Sequence, residues 1–193
     1  AFNRVLLHDS STLPLPQALA PYYPGAGNQC GRNAQAKIQA ILDIKSRSYV
    51  YFSLTPFTRN DQRAASDVLG LLQPGDLIIR DLGYFALKVL AHISGAGAFF
   101  ISRFGYRCSL YDPDGPLDLS CLLRKEGRLD RVVRIGCSEK LAVRLVAIPV
   151  PSHVAEKRRR ALRQSRDRRL NPGKERLFLL GWAIFITNVT QEV

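Results

Sequence analysis

The sequence predicts a mixed α/β sheet, and three observations carry that expectation. Strand-period apolar runs recur at Arg4 to Ser10, Lys37 to Ile44, Tyr49 to Leu54, Leu77 to Asp81 and Ala98 to Arg103. Apolar residues at helical spacing fill the gap between the third and fourth runs, and again between the fourth and fifth. Turn chemistry punctuates every junction. The order is therefore three strands, helix, strand, helix, strand.

Each element has its own signal. Arg4 to Ser10 places Val5, Leu7 and Asp9 on one face and Leu6, His8 and Ser10 on the other. Pro14, Pro16, Pro21 and Pro24 enforce an irregular connection, and Gly25 to Asn33 extends it as a flexible loop. Lys37 to Ile44 and Tyr49 to Leu54 form a hairpin turned by Lys45 to Ser48. Thr58, Asn60 and Asp61 offer capping side chains to a helix that carries Ala64, Ala65, Val68, Leu69 and Leu72 and stops at Pro74-Gly75. Leu77 to Asp81 is the fourth strand. A helix with Phe85, Leu87, Val89, Leu90 and Ile93 follows it and ends at Gly95 to Gly97, before the fifth strand.

From Tyr106 the texture changes. Short alternating runs, Val132 to Ile135 and Leu141 to Ile148, lie between turns such as Asp112 to Gly115 and Lys125 to Gly127. This reads as a β-rich insertion. After Pro149 and Pro151 comes a basic helix, Val154 to Arg169, broken by Asn171-Pro172-Gly173. Leu177 to Val189 reads as an apolar segment returning to the core. The expected boundaries are thus a core over 1–105, an insertion with the basic helix over 106–176, and the return segment over 177–193.

Composition narrows the function. With 46% hydrophobic and 23% charged residues, the chain buries a core and is not a disordered polymer. Lys and Arg number 28 against 16 Asp and Glu, a net charge of +12, which favours a polyanionic partner. The longest apolar run, Leu177 to Ile186, is shorter than the roughly 20 residues a membrane helix needs. No secretion signal opens the chain, so a cytoplasmic location is expected. Cys30, Cys108, Cys121 and Cys137 have neither a CxxC spacing nor paired histidines, which argues against zinc and against a disulfide framework. The chain has no methionine and enters an apolar stretch almost at once, so it reads as a fragment.

Two aspartates carry the sharpest chemistry. In Val5-Leu7-Asp9 and in Leu77-Ile79-Asp81, a carboxylate continues the apolar face of a strand at its C-terminal end. Two carboxylates brought together there repel unless a cation lies between them, and hard oxygen ligands favour Mg²⁺ or Mn²⁺. Aspartates also end strands simply as turn or cap residues. His8-Asp9-Ser10 is no catalytic relay, because adjacent strand residues point to opposite faces. Gly25-Ala26-Gly27 lacks the spacing of a nucleotide-binding turn. Between Lys157 and Arg169, the cations Lys157, Arg158, Arg159, Arg160, Arg163, Arg166, Arg168 and Arg169 stand against one acid, Asp167. Arginine grips phosphate well, so this density points to a polyanion contact as readily as to a solvated face.

The ordered segments LLHDSSTLPLP, AKIQAILDI, GDLIIRDLGYFAL, FFISR, EKRRRALRQ and LFLLGWAIFITNV resemble the DDE transposases of bacterial insertion sequences. The subgroup they resemble carries a β-strand insertion and a downstream Tyr-Arg-Glu-Lys signature. The resemblance implies an RNase H-like core, with Asp9 as the first catalytic carboxylate and Asp81 as the second, through Asp81-Leu82-Gly83-Tyr84. It implies two Mg²⁺ (or Mn²⁺) ions, cleavage and strand transfer on double-stranded DNA at transposon ends and target, a homodimer in the synaptic complex, and association with the nucleoid. The third carboxylate of the family lies in the signature beyond a Trp…Thr-Asn segment. Trp182 and Thr187-Asn188 are present, but Glu126, Glu139 and Glu192 lack that context, so the catalytic Glu is expected beyond Val193 and this chain alone is expected to be inactive. Lys37 and Arg103 are further expected phosphate contacts beside Lys157, Arg158, Arg159, Arg160, Arg163 and Arg166. Two other readings stay open: a non-catalytic DNA-binding remnant and an RNase H-like nuclease.

Overall fold

The computed structural model describes residues 1–28, 31–164 and 173–190, which fall into two units. The first comprises Ala1–Ser102 with the residues from Asn188, the second Arg103–Thr187.

In the first unit, β1 (Val5–Pro14) is followed by β2 (Pro24–Asn28), β3 (Gly31–Asp43) and β4 (Ser48–Pro56). A short helix α1 (Asp61–Ala64) runs into a 3-10 turn over Ala65–Val68. Then come β5 (Leu77–Arg80), a 3-10 turn over Leu82–Tyr84, α2 (Leu87–Gly95) and β6 (Phe99–Arg103). β1 and β5 pair in parallel, as do β5 and β6, while β3 is antiparallel to both β1 and β4. The order β4-β3-β1-β5-β6 is the mixed sheet of an RNase H-like domain, as the sequence predicts. Leu6, Ile41, Ile78, Phe100, Leu90, Ile93 and Val68 are buried and form its core. Tyr84 is buried against Ala64 and Ala65.

Three boundaries differ from the sequence reading. β1 continues to Pro14, since its pairing with β3 runs from Leu6 to Pro14 whereas β5 accompanies only Val5 to His8. Beyond His8 that flank has no β5 partner, so Pro14 can end the strand without a donor. The expected loop Gly25 to Asn33 instead supplies β2 and the start of β3. Gly25 permits this close pairing, because a Cβ there would lie 2.5 Å from the Asn33 carbonyl oxygen. The helix expected over Asp61 to Leu72 is one α turn continued as a 3-10 turn.

In the second unit, β7 (Leu110–Asp112), β8 (Gly115–Leu117), α3 (Leu119–Glu126), β9 (Leu129–Ile135) and β10 (Leu141–Pro149) precede α4 (Ser152–Arg163), α5 (Lys174–Leu179) and β11 (Trp182–Thr187). Its strands are antiparallel in the order β11-β10-β9-β7-β8. Leu123, Leu129, Val133, Ile135, Val143, Leu145 and Ile186 are buried in its core. Within the stretch read as β-rich lies a helix the sequence reading did not name, α3. Asp118 caps it by accepting from the Cys121 N–H at 2.9 Å, and Gly127 closes it with φ at 71°. The expected apolar return segment supplies the end of α5 and β11, and β11 pairs with β10. Cys108, Cys121 and Cys137 are free thiols, and Cys30 lies outside the described residues.

Candidate active site on two parallel strands

The site begins with the register of β1 on β5. Val5 pairs with Leu77, Leu6 with Ile78, Leu7 with Ile79 and His8 with Arg80. Asp9 follows His8 on β1, and Asp81 follows Arg80 directly after the end of β5, at the start of the 3-10 turn. Parallel partners in register project to the same face, so continuing the alternation puts Asp9 and Asp81 on the face of Leu7 and Ile79. That face is open: Leu7 is 38% exposed, and Asp9 and Asp81 are both exposed, while Leu6 and His8 on the opposite face are buried.

Both ends of this strand pair are pinned. At the start, Arg4 Nε donates to Asp76 Oδ1 at 3.0 Å and Arg4 Nη2 to Asp76 Oδ2 at 2.5 Å, with the Asp76 carboxylate fully buried. The hydrogen bond to Asp76 raises the Arg4 pKa, so this charge is permanent. At the other end, Arg80 Nη2 donates to His8 Nδ1 at 3.1 Å and also bonds the Ala65 carbonyl. Because Nδ1 accepts, the His8 proton sits on Nε2. Burial, and then the neighbouring Arg80 charge, push the His8 pKa down to about 3. Burial also lowers Arg80 to about 10. The residues preceding the two aspartates therefore form a neutral imidazole and a buried guanidinium in direct contact.

On the far side of the aspartates lies a second polar group. Ser10 Oγ donates to Asp61 Oδ1 at 2.8 Å, Lys37 Nζ sits 2.7 Å from the same oxygen, and Gln39 Nε2 reaches it at 3.1 Å. Tyr84 OH donates to Gln39 Oε1 at 2.5 Å, and its ring lies 4.1 Å from that of His8. Burial opposes ionisation of Asp61, but the bonds from Lys37, Ser10 and Gln39 outweigh it and hold its pKa below the usual value. Burial pushes Tyr84 up to about 12. The sequence reading missed this network, treating Asp61 as a capping candidate. The cap is Asn60, whose side chain accepts from the Arg63 N–H at 2.9 Å, which leaves Asp61 for Ser10 and Lys37.

Asp9 and Asp81 offer hard oxygen donors, which suits Mg²⁺ or Mn²⁺. Asp9 Oδ1 also accepts the Ser10 N–H at 2.8 Å, which orients the carboxylate. Among the described residues no group of three or more His, Cys, Asp or Glu side chains gathers for a metal. Glu126 and Glu139 belong to the second unit, where Glu126 lies 3.7 Å from Arg131. Glu192 lies outside the described residues.

The expected phosphate contacts separate into two groups. Lys37 is 9% exposed and committed to Asp61, so the expectation of an open phosphate contact does not fit its surroundings. Arg158 Nη1 donates to the Leu180 and Trp182 carbonyls at 3.4 and 3.2 Å, and Arg159 Nε to the Leu177 carbonyl at 3.0 Å. These two arginines therefore bind the backbone at the end of α5. Lys157 is exposed, and Arg160 and Arg163 line a groove with Glu156, Arg159 and Gln164. Arg103 is exposed at the end of β6. Arg166, Arg168 and Arg169 lie outside the described residues.

Residues 1–177 match the family model for the transposase DDE domain. The chain belongs to the DDE transposase family. It is 38% identical over 110 residues to the transposases for insertion sequence elements IS231B and IS231C of Bacillus thuringiensis subsp. berliner. It is 27% identical, also over 110 residues, to that for IS1151 of Clostridium perfringens. In each case the match spans 57% of this chain and 23% of the relative. The family resemblance read from the sequence is thus shown, with the mixed α/β fold that goes with it. Among the described residues no helix is long and apolar enough to cross a membrane.

Proposed function

We propose that this domain contributes the first two catalytic carboxylates, Asp9 and Asp81, to a transposase that cleaves double-stranded DNA at transposon ends and joins them to a target. The observation that supports the reading is the β1–β5 register, whose parallel pairs end at His8 and Arg80, the residues immediately before the two aspartates. Asp9 and Asp81 would hold a divalent cation, Mg²⁺ or Mn²⁺, and in the complete enzyme two such ions. When bound, such cations supply positive charge to the attacking and leaving oxygens of an in-line phosphoryl transfer.

The chain's own residues have simpler tasks. Asp9 and Asp81 present paired negative charge on an open face, where a phosphodiester can approach. The Ser10 N–H fixes the rotamer of Asp9. Lys157, Arg160, Arg163 and Arg103 supply positive charge for DNA phosphates, and Arg166 extends the same basic sequence. Water attacks phosphorus and the bond to the 3′ oxygen breaks, leaving a 3′ hydroxyl. That hydroxyl attacks a second phosphodiester, forming one P–O bond while the bond from that phosphorus to its own 3′ oxygen breaks and a new 3′ hydroxyl leaves, with no covalent protein–DNA intermediate. Synapsis of two ends calls for a dimer, and the reaction takes place on nucleoid DNA.

In a full-length transposase carrying this domain, Asp9→Asn and Asp81→Asn should each abolish Mg²⁺-dependent nicking of transposon-end DNA while leaving DNA affinity within about twofold. Each removes one ligand charge and nothing from the basic surface. Nicking that survives either substitution would overturn the assignment.

A further inference from the structure

We propose that Asp61 is a positioning residue that sets the spacing of Asp9 and Asp81, and that Gly83 is a glycine because the Asp61 carboxylate occupies the space its side chain would need. This rests on the two-aspartate reading above and deepens it.

The chain leaves β1 through Ser10, directly after Asp9, and leaves β5 through the 3-10 turn over Leu82–Tyr84, directly after Asp81. The Asp61 carboxylate touches both exits. Its Oδ1 accepts from Ser10 Oγ at 2.8 Å. Its Oδ2 lies 3.0 Å from the position a Cβ would take on residue 83, and its own Cβ lies 3.2 Å from that position. Gly83 has no positive φ, so space rather than backbone conformation accounts for the glycine. The Asp61 carboxylate cannot easily yield, because Lys37 and Gln39 hold the same Oδ1 that Ser10 does. Gln39 then carries the connection to Tyr84, three residues after Asp81, through the 2.5 Å bond from the tyrosine hydroxyl.

With His8 and Arg80 in contact immediately before the aspartates, both strands are held on either side of the candidate ligands. Oδ1 of Asp61 already serves three donors, so the residue acts through its neighbours rather than as a ligand itself. Groups that orient metal ligands from outside the coordination sphere typically change metal affinity 10–100-fold when lost. The Gly83-Tyr84 pair of the Asp-Leu-Gly-Tyr segment thereby gains a physical reading: a glycine for the approach of Asp61, and a tyrosine for the hydroxyl that reaches Gln39.

The test is a double-mutant cycle read by isothermal titration of Mn²⁺ into the 193-residue chain, with circular dichroism and thermal melts confirming the fold of each variant. Gly83→Ala and Asp61→Ala should each weaken Mn²⁺ affinity about tenfold. In the Asp61→Ala background, Gly83→Ala should cost nothing further, because the carboxylate it displaces is gone. Tyr84→Phe keeps the ring against His8 and removes only the hydroxyl; it should weaken Mn²⁺ several-fold with the chain still folded at the titration temperature, and it keeps the test decisive if Asp61→Ala fails to fold. Additive losses in the cycle, or unchanged affinity in both Gly83→Ala and Tyr84→Phe, would overturn the positioning role while leaving the two-aspartate site standing. No Mn²⁺ binding by the unsubstituted chain would overturn the two-aspartate site itself, and the positioning role with it.

Discussion

His8 shows how strongly a neighbour in sequence can differ from the residue beside it. Asp9 faces outward with its carboxylate exposed, whereas His8 is 1% exposed and accepts a hydrogen bond from a buried arginine. Its folded pKa is depressed to about 3, first by burial and then by Arg80. Below the unfolded value of about 6.5 the unfolded chain binds a proton that the folded chain refuses, so stability falls as pH falls through that range. The loss should reach roughly 2–3 kcal/mol between pH 6.5 and 4.5. Urea unfolding in the presence of EDTA measures it. His8→Asn should flatten the slope in this window, and a slope equal to that of the unsubstituted chain would contradict the buried neutral imidazole. Asp61, whose folded pKa is also low, contributes stability that is lost only at more acid pH.

At the scale of elements, the β1–β5 pair is the part on which the site depends, and its alignment is fixed by charge at one end and by the Arg80–His8 contact at the other. Asp76 carries the first of these, accepting from Arg4 and from the Gln73 N–H at 2.8 Å with no exposure of its carboxylate. Asp76→Ala should cost about 3 kcal/mol in urea unfolding, because it strips a partly buried arginine of its partner. A loss under about 1 kcal/mol would show that the register survives without the ion pair. Asn188 gives the first unit a similar anchor, accepting from the Phe100 N–H at 2.8 Å and donating to the Ala98 carbonyl at 2.9 Å. The strands themselves were legible in the sequence, since alternation reports one buried face whatever lies further away. The extended β1, the β2–β3 pairing and α3 were not. Pro14 and Gly25 read locally as breakers, and only the lack of a β5 partner and the close approach of Asn33 make them compatible with strand. The caps of α3, Asp118 and Gly127, were present in the sequence, but surrounding strand-period runs and turns masked them.

For the whole molecule, the net charge of +12 is less informative than where individual cations are committed. Lys37, Arg4, Arg158 and Arg159 are tied to carboxylates or carbonyls inside their own units. Charge density along the sequence marked the basic helix but could not separate these from Lys157, Arg160 and Arg163, because the distinction depends on where α5 ends. Lys157, Arg160 and Arg163 replaced together by Ala should reduce the log–log salt slope of duplex DNA binding by about 0.9 for each phosphate no longer neutralised. Arg158→Ala and Arg159→Ala should lower the melting temperature instead, and fluorescence anisotropy beside thermal melts separates the two effects. Strand face and family resemblance single out both aspartates in the sequence but not Asp61, because its contacts exist only once Ser10, Lys37, Gln39 and Gly83 have been brought together. The central claim is that Asp9 and Asp81 act as one site, and isothermal titration of Mn²⁺ tests it most directly. The unsubstituted chain should bind, and Asp9→Asn and Asp81→Asn should each remove that binding with the fold intact. Equal Mn²⁺ affinity in all three proteins would contradict the claim.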